Sequence, residues 1–179
     1  MTRVLVIGYG SIGQRHARVL TALGHDVAVL SRRPIDHPKH FSGLAEALAG
    51  FAPSYVVVAN ETSAHRESLA DLARRGYTEA VLVEKPLFEA SRREDPADVP
   101  RTFVAYNLRF HPLLQRLREW LRGREAVAAA IHVGQHLSTW RPGRDFRATY
   151  SARRDLGGGA LRDLSHELDY ALWLFGAWQ

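Results

Sequence analysis

Over the first hundred positions, short apolar runs alternate with amphipathic segments. The apolar runs have the length of strands that are covered on both faces, and they lie at 4–7, 26–30, 54–59 and 80–83. Apolar residues at helical spacing predict intervening helices at 14–23, 44–48 and 63–75. A charged loop is predicted over 89–100, and a further strand over 102–106. This alternation predicts an α/β fold built on a doubly wound parallel sheet.

The pattern changes after the predicted strand at 102–106. A helix is predicted at 113–121, a long strand at 126–135 and an irregular region at 140–155. A final helix is predicted over 160–175, with an apolar stripe facing a core: Leu161, Leu164, Leu168, Leu172 and Phe175. We therefore predict two domains. Residues 1–107 form a domain built on the parallel sheet, and residues 108–179 form a partial α+β domain.

The first predicted strand runs directly into Gly8-Tyr9-Gly10-Ser11-Ile12-Gly13, and a predicted helix follows. Strand, Gly-x-Gly-x-x-Gly and helix in this order are typical of a dinucleotide site. We therefore predict that residues 1–107 are a Rossmann domain that binds NAD(P) and that residues 108–179 serve substrate binding and oligomerisation. Gly8 permits the tight turn, Gly10 lets the backbone approach a pyrophosphate, and Gly13 lets the helix pack closely on the strand. The amides of Ser11 and Ile12 then face the phosphates at the positive end of the helix. The alternative is a structural turn without a ligand.

The residues after the second predicted strand indicate which dinucleotide binds. A site that selects NAD usually places Asp or Glu there, to bind the ribose hydroxyls. This chain has Ser31-Arg32-Arg33 instead, and guanidinium groups suit a 2′-phosphate. We therefore predict NADP(H) as the preferred cofactor, with NAD(H) as the alternative. The competing interpretation is that the two arginines are ordinary solvated surface residues.

The composition of the chain excludes several classes of protein. With 179 residues, 46% of them hydrophobic, the chain can form one domain and part of another. The absence of cysteine excludes disulfides and thiolate catalysis and favours a cytoplasmic location. We expect no signal peptide and no membrane partner, because no apolar run is long enough to span a bilayer. The net charge is +5, but acidic residues are interspersed with the basic ones, so we expect no nucleic-acid partner.

Further motifs resemble a known family. They are Ala59-Asn60-Glu61-Thr62-Ser63-Ala64-His65, Glu84-Lys85-Pro86, Tyr106-Asn107-Leu108-Arg109-Phe110-His111-Pro112 and the triple glycine 157–159. Together with the first glycine motif, and in the same order, they resemble the Gfo/Idh/MocA family of glucose–fructose oxidoreductases and inositol dehydrogenases. The resemblance implies a nicotinamide-dependent oxidoreductase that acts on a sugar, sugar nucleotide or cyclitol. Hydride would pass between the cofactor and a hydroxyl-bearing or keto carbon.

The resemblance implies three catalytic residues, which are Lys85, Asp163 and His166. Lys85 follows a parallel strand, where its ammonium could polarise the substrate oxygen, although a surface lysine is the usual alternative. His166 is suited to proton exchange with a hydroxyl, and Asp163 could orient it. The two residues are three apart on the predicted helix, whereas the family usually has them four apart. The alternative for this pair is an ordinary polar stripe.

Other residues are predicted from their places after strands or on the last helix. Those predicted to contact the cofactor, besides the residues given above, are Asn60, Thr62, His65, Glu84 and Lys85. Thr62 could equally cap a helix. Those predicted to bind substrate are Arg109, His111, Tyr150 and Tyr170, and Arg109 could equally form a structural ion pair. No group of ligands at metal-binding spacing is evident, so we predict no metal.

The single strand at 126–135 raises the question of how the second domain is completed, because one strand cannot form a sheet alone. We expect a homo-oligomer, or a partner subunit that supplies the missing strands, unless the chain is truncated. Two other function classes remain as alternatives. One is a member that keeps its nicotinamide bound and performs elimination or glycoside cleavage, and the other is a non-catalytic nucleotide-binding or assembly protein.

Overall fold

The computed structural model describes residues 1–90, 101–140, 143, 145–153 and 158–176. The chain divides into two compact units, Met1–Ala105 and Tyr106–Gln179. Most of the loop predicted over 89–100 lies outside the described residues, as does Gly157 of the triple glycine.

The first unit contains a six-stranded parallel sheet in the order β3-β2-β1-β4-β5-β6. Its strands are β1 (Arg3–Ile7), β2 (Asp26–Leu30), β3 (His40–Phe41), β4 (Tyr55–Val58), β5 (Ala80–Val83) and β6 (Thr102–Val104). The predicted doubly wound parallel sheet is confirmed. The strand order reverses between β1 and β4, and ligands of such sheets bind at the carboxyl edge of that reversal.

Three helices cover the sheet: α1 (Ser11–Ala22), α2 (Leu44–Phe51) and α3 (Thr62–Arg74). Successive residues of a strand point to opposite faces, so β1 supplies two separate cores. Val4 and Val6 belong to the cluster that contains Ala17 of α1. Leu5 and Ile7 belong to the cluster that also contains residues of α2 and α3. Burial on both faces explains why these strands are continuous apolar runs in the sequence.

Where the structure describes it, the second unit contains three helices: α4 (Pro112–Leu121), α5 (Ala160–Asp163) and α6 (Ser165–Phe175). Short 3-10 turns lie at Asn107–Phe110, Leu137–Thr139, Phe146–Ala148 and Tyr150–Ala152. The irregular region predicted over 140–155 is confirmed where the structure describes it.

Two predictions for this unit are wrong. Residues 126–135 form no strand, and among the described residues of the unit there is no strand for them to bond with. The predicted helix 160–175 is interrupted at Leu164, whose φ of −104° and ψ of 31° lie outside the helical region. Its stripe is not a packed core either, since Leu161 is 75% exposed and Leu172 is 42% exposed.

Candidate functional site

The carboxyl ends of the four central strands lie in one row. Ile7 of β1 pairs in register with Leu30 of β2 and with Val58 of β4, and Val58 pairs with Val83 of β5. Every turn predicted to bind the cofactor therefore begins at the same level of the sheet. Backbone hydrogen bonds continue the ladder beyond the strands, from Gly8 N–H to the Leu30 carbonyl at 2.9 Å and from Glu84 N–H to the Val58 carbonyl at 2.9 Å.

The three glycines of the first turn have different environments. Gly8 has a φ of +95°, and a Cβ there would lie 2.6 Å from the backbone of Asn60. A Cβ on Gly13 would lie 2.1 Å from the Gly8 carbonyl oxygen, so both positions require glycine for the packing of the protein itself. Gly10 has an ordinary φ of −74°, and a Cβ there would contact nothing within 4 Å. The space above Gly10 is therefore open.

The start of α1 is arranged to receive an anion. Its first turn contains no acidic residue, and the side chains of Ser11 and Ile12 are exposed beside it. The amides of a first helical turn have no partner within the helix, and the helix dipole places positive charge there. Gly10, Ser11 and Ile12 are thus placed as a phosphate site would require.

The turn after β2 is stabilised by Ser31. This side chain is 8% exposed, and its hydroxyl donates to the Arg33 carbonyl at 3.0 Å and accepts from the Arg33 N–H at 3.2 Å. The Ser31 hydroxyl, predicted to contact the cofactor, is thus engaged with the backbone of Arg33 within the turn. Arg32 and Arg33 are exposed on the same turn, so both guanidinium groups remain accessible.

After β4, only one of the two polar atoms in the Asn60 side chain has a hydrogen-bond partner. Its amide nitrogen donates to the Ser68 hydroxyl at 2.9 Å, while its Oδ1 atom is buried without a hydrogen-bond partner. Thr62, predicted as a cofactor contact or a cap, is the first residue of α3 and is 6% exposed. The cap position itself is Glu61, without a side-chain cap bond.

His65 differs most from its predicted role. Its side chain is 1% exposed, with Nδ1 3.1 Å from the Pro86 carbonyl oxygen and 3.1 Å from that of Leu87. Nε2 lies 3.2 Å from the Asn60 carbonyl oxygen. Burial lowers the pKa of the imidazole, against the opposing effect of these carbonyls. A ring enclosed in this way links two turns of the protein and leaves no nitrogen for a cofactor.

Lys85 projects from the turn after β5 and is half-buried, and the Lys85–Pro86 peptide bond is cis. The preceding residue, Glu84, was predicted to contact the cofactor. Its Oε1 lies 2.6 Å from Nε2 of His16 on α1, so the imidazole N–H donates to the carboxylate. Sequence reasoning missed His16. The available signal was a histidine only three residues beyond Gly13, on a helix that must pack closely on the sheet.

In the second unit, Arg109 forms the structural ion pair that was one of its two interpretations. Its Nε lies 2.8 Å from Asp169 Oδ2, and Nη2 lies 2.5 Å from Oδ1. The hydrogen bonds to Asp169 raise the pKa of Arg109 further. Asp169, on α6, is 9% exposed and was not among the predicted residues. Spacing gave no signal for this pair, because the partners are 60 positions apart.

The other predicted residues of this unit lie on different elements. His111 caps α4, its Nδ1 accepting from the Leu113 N–H at 3.3 Å. Asp163 ends α5 and is buried, whereas His166 lies in the first turn of α6. The Tyr106 ring contacts the His166 ring edge-on, with centroids 5.7 Å apart. Tyr150 begins a 3-10 turn. Tyr170 lies one turn beyond His166, where burial and Glu167 raise the pKa of its hydroxyl.

Two absences apply to the part of the chain that the structure describes. None of its helices combines the length and the apolar character needed to cross a membrane. In the same ranges, no group of three or more His, Cys, Asp or Glu residues is placed to hold a metal ion.

Comparison with known proteins gives one family and several similar structures. The family model described as an oxidoreductase family with an NAD-binding Rossmann fold matches residues 2–99. GenD2 from gentamicin A biosynthesis, solved in complex with NAD, is 28% identical with a TM-score of 0.73, over 97% of this chain and 53% of that chain. None of the curated proteins matches.

Two WlbA dehydrogenases also match. The Thermus thermophilus enzyme, solved with NAD and UDP-GlcNAcA, is 23% identical with a TM-score of 0.67, over 98% of this chain and 64% of that chain. The Bordetella pertussis enzyme, solved with NADH and UDP-GlcNAcA, is 20% identical with a TM-score of 0.72, over 98% of this chain and 58% of that chain. At these identities the likeness concerns the fold. The present chain spans less than two thirds of the length of these solved proteins.

Proposed function

The chain belongs to the Gfo/Idh/MocA oxidoreductase family, whose NAD-binding Rossmann model matches residues 2–99, and we propose that it is a dehydrogenase or reductase of sugar derivatives that prefers NADP(H). Hydride would pass between the nicotinamide and a hydroxyl-bearing or keto carbon of a sugar, sugar nucleotide or cyclitol. The observation that carries the proposal is the row of four strand ends, which begins at a glycine turn with open space above Gly10.

The residues of this row fit a dinucleotide. Gly10 needs no glycine for packing within the protein, so its missing side chain is explained by a ligand that approaches the backbone. The first-turn amides of α1 would donate to the pyrophosphate. The buried Oδ1 of Asn60 lacks a partner and would accept a hydrogen bond from a ribose hydroxyl.

The preference for NADP(H) rests on the turn after β2. Ser31 fixes this turn through its two bonds to Arg33, and the exposed guanidinium of Arg32 would bind the 2′-phosphate. The similar structures were solved with NAD or NADH, so the proposed preference for NADP(H) rests on the arginines of this chain alone.

The chemistry needs a donor at the substrate oxygen and a base for its proton. Nicotinamide, when bound, accepts or supplies the hydride. We assign to Lys85 the polarisation of the substrate oxygen and a contact with the nicotinamide end of the cofactor. We assign to His166 the exchange of the hydroxyl proton, with Asp163 as its orienting carboxylate. Such proton transfer contributes roughly 10²- to 10⁴-fold in rate. Arg109 is already paired with Asp169, and therefore supports this region rather than binding substrate.

The cofactor proposal is tested by titrating the protein with NADPH and with NADH, following the fluorescence of the nucleotide. Arg32→Ala should weaken NADPH binding by about 10- to 100-fold, the value of a charge-assisted bond to a phosphate, and NADH binding by less than about 2-fold. Arg3→Ala is the matched control, because it removes the same charge at the amino edge of β1. Preference of the native protein for NADH would overturn the NADP(H) assignment and leave the family intact.

We further propose that copies of the chain associate through the second unit. Its α6 exposes Leu168, Leu172 and Phe175 by about two fifths each, and exposed apolar clusters mark interaction surfaces. Light scattering of the purified protein tests this. A monomer at all concentrations would contradict the proposal, and Leu172→Glu should dissociate an oligomer.

A further inference from the structure

His65 joins two of the turns that form the candidate site. It lies in the first turn of α3 and is 1% exposed. Its Nδ1 is within 3.1 Å of the carbonyl oxygens of Pro86 and Leu87, and its Nε2 is 3.2 Å from that of Asn60. One imidazole therefore spans from the turn after β4 to the turn after β5, which carries Lys85.

The chemistry of the ring restricts how these contacts are made. A neutral imidazole carries one N–H, and carbonyl oxygens only accept hydrogen bonds. Burial lowers the pKa of His65, so the neutral form predominates at neutral pH. Nδ1 faces two carbonyl oxygens and Nε2 faces one, so the electrostatic attraction for the proton is greater at Nδ1.

The residue before Lys85 is held from the other side. Glu84 bonds His16 of α1 across 2.6 Å, while Pro86 and Leu87 meet His65 of α3. The turn that presents Lys85 is thus fixed at both of its ends by histidines from two different helices. The contact of His65 is the more enclosed of the two, because the His16 side chain is 22% exposed.

We propose that His65 is a positioning residue for Lys85. The Nδ1–H of His65 donates to the carbonyls of Pro86 and Leu87 and so fixes the turn from which Lys85 acts on the nicotinamide. The inference rests on the proposed function, since it presupposes that Lys85 contacts the nicotinamide end of the cofactor. It gives His65 an indirect role in place of the direct cofactor contact that the sequence predicted.

Two ligands separate the nicotinamide end of the site from the rest. NADPH and 2′-phospho-ADP-ribose share every group except the nicotinamide, which a hydroxyl replaces, and NADH and ADP-ribose form the corresponding pair. The ratio of their dissociation constants measures the nicotinamide contribution alone. We expect Lys85→Ala and His65→Ala to reduce this contribution by a similar factor, about 5- to 10-fold, the size of one lost hydrogen bond. Binding of 2′-phospho-ADP-ribose should change by less than about 2-fold.

Conservative variants identify the ring nitrogen that matters. Asn places an N–H near the position of Nδ1, and Gln places one near Nε2. His65→Asn should therefore restore most of the nicotinamide contribution, whereas His65→Gln should not. His25→Ala, just before β2, is the matched histidine control and should leave both ligands unaffected. A thermal melt would reveal whether His65→Ala folds. If it does not, the comparison of His65→Asn with His65→Gln still tests whether the Nδ1–H of His65 positions Lys85.

The double variant Lys85→Ala/His65→Ala completes the test. If His65 acts through Lys85, the second substitution adds no further loss. Independent, additive losses would overturn the inference, as would an effect of Lys85→Ala that His65→Ala does not reproduce. If Lys85→Ala itself leaves the ratio unchanged, the proposed contact of Lys85 with the nicotinamide is overturned instead, and the two failures are thereby distinguished.

Discussion

The two units of the molecule bury opposite kinds of side chain. In residues 1–105 the buried set is dominated by apolar strand residues, several of which are completely inaccessible, such as Leu5, Val56 and Val81. In the described part of residues 106–179, the buried side chains are polar: Ser151, Asp163, Ser165 and Asp169. Apolar side chains of that unit lie at its surface, among them Phe110, Leu113 and Leu161.

This difference has a consequence for what each unit can do alone. A parallel sheet covered on both faces provides two apolar cores, so the first unit contains its own source of stability. In the second unit, residues 126–135 and α6 line an open groove of about 1250 Å³. The candidate cofactor site is thus built on a rigid sheet edge. In the second unit, α6 carries both the candidate residue His166 and Asp169, which forms the ion pair with Arg109.

The sharpest contrast within the first unit is between two glycines of one turn. Gly13→Ala places a Cβ 2.1 Å from the Gly8 carbonyl oxygen, and we expect a loss of about 3 kcal/mol or more in the free energy of unfolding. Urea denaturation followed by far-UV circular dichroism measures it. Gly10→Ala meets no protein atom and should cost less than about 1 kcal/mol, while weakening nucleotide binding. Equal losses at the two positions would contradict this view of the turn.

Two leucines compare the units directly. Leu72 is completely buried and Leu172 is 42% exposed. Leu72→Ala should cost about 3 kcal/mol because it leaves a cavity in the core, and Leu172→Ala less than about 1 kcal/mol. All four tryptophans lie beyond residue 106, so their emission reports the second unit while circular dichroism reports both. Both values apply to dilute protein, in which the proposed oligomer is dissociated, and a large effect of Leu172→Ala under those conditions would contradict the comparison.

The polar interior of the second unit can be tested with two ion pairs. Arg109→Leu leaves the carboxylate of Asp169, only 8% exposed, without its guanidinium partner. We expect a loss of about 1 to 2 kcal/mol, which is moderated by the partial exposure of Arg109. Arg75→Leu removes a surface pair with Asp71 and should change stability by less than about 0.5 kcal/mol. Amide hydrogen exchange of α6 measures the loss caused by Arg109→Leu, and unaltered exchange in that variant would contradict the prediction.

A further expected effect is a pH dependence in the first unit. Burial lowers the pKa of His65 below its ordinary value of about 6.5, so the unfolded chain binds more protons than the folded one just below that pH. The contribution of the neutral His65 side chain to the free energy of unfolding is therefore fully present above about pH 6.5 and is lost as the pH falls. His65→Gln should remove up to about 1.4 kcal/mol per pH unit of this slope, measured by urea denaturation between pH 5 and 7. If the unfolding free energy of His65→Gln had the same pH dependence as that of the native protein, this prediction would be contradicted.

Prediction from sequence succeeded where a local pattern reflects burial. The runs at 4–7 and 80–83 were identifiable as strands because both of their faces are covered. Strand β3 was missed, since two residues carry no periodicity. The run at 126–135 has the pattern of a strand but no partner within the described residues, and a pattern cannot state whether a partner exists.

For the candidate site, the sequence alone determined the glycine turn, the arginines after β2 and the lysine after β5, because each is a local signal at a strand end. The tertiary structure decided which side chains meet across the chain. His16 reaches Glu84 over 68 positions, and His65 reaches Pro86 over 21 positions. It also showed that Ser31 and His65, both predicted to contact the cofactor, make hydrogen bonds within the protein. Local periodicity fixes where strands end, whereas hydrogen bonds between distant residues exist only once the sheet has brought those ends into one row.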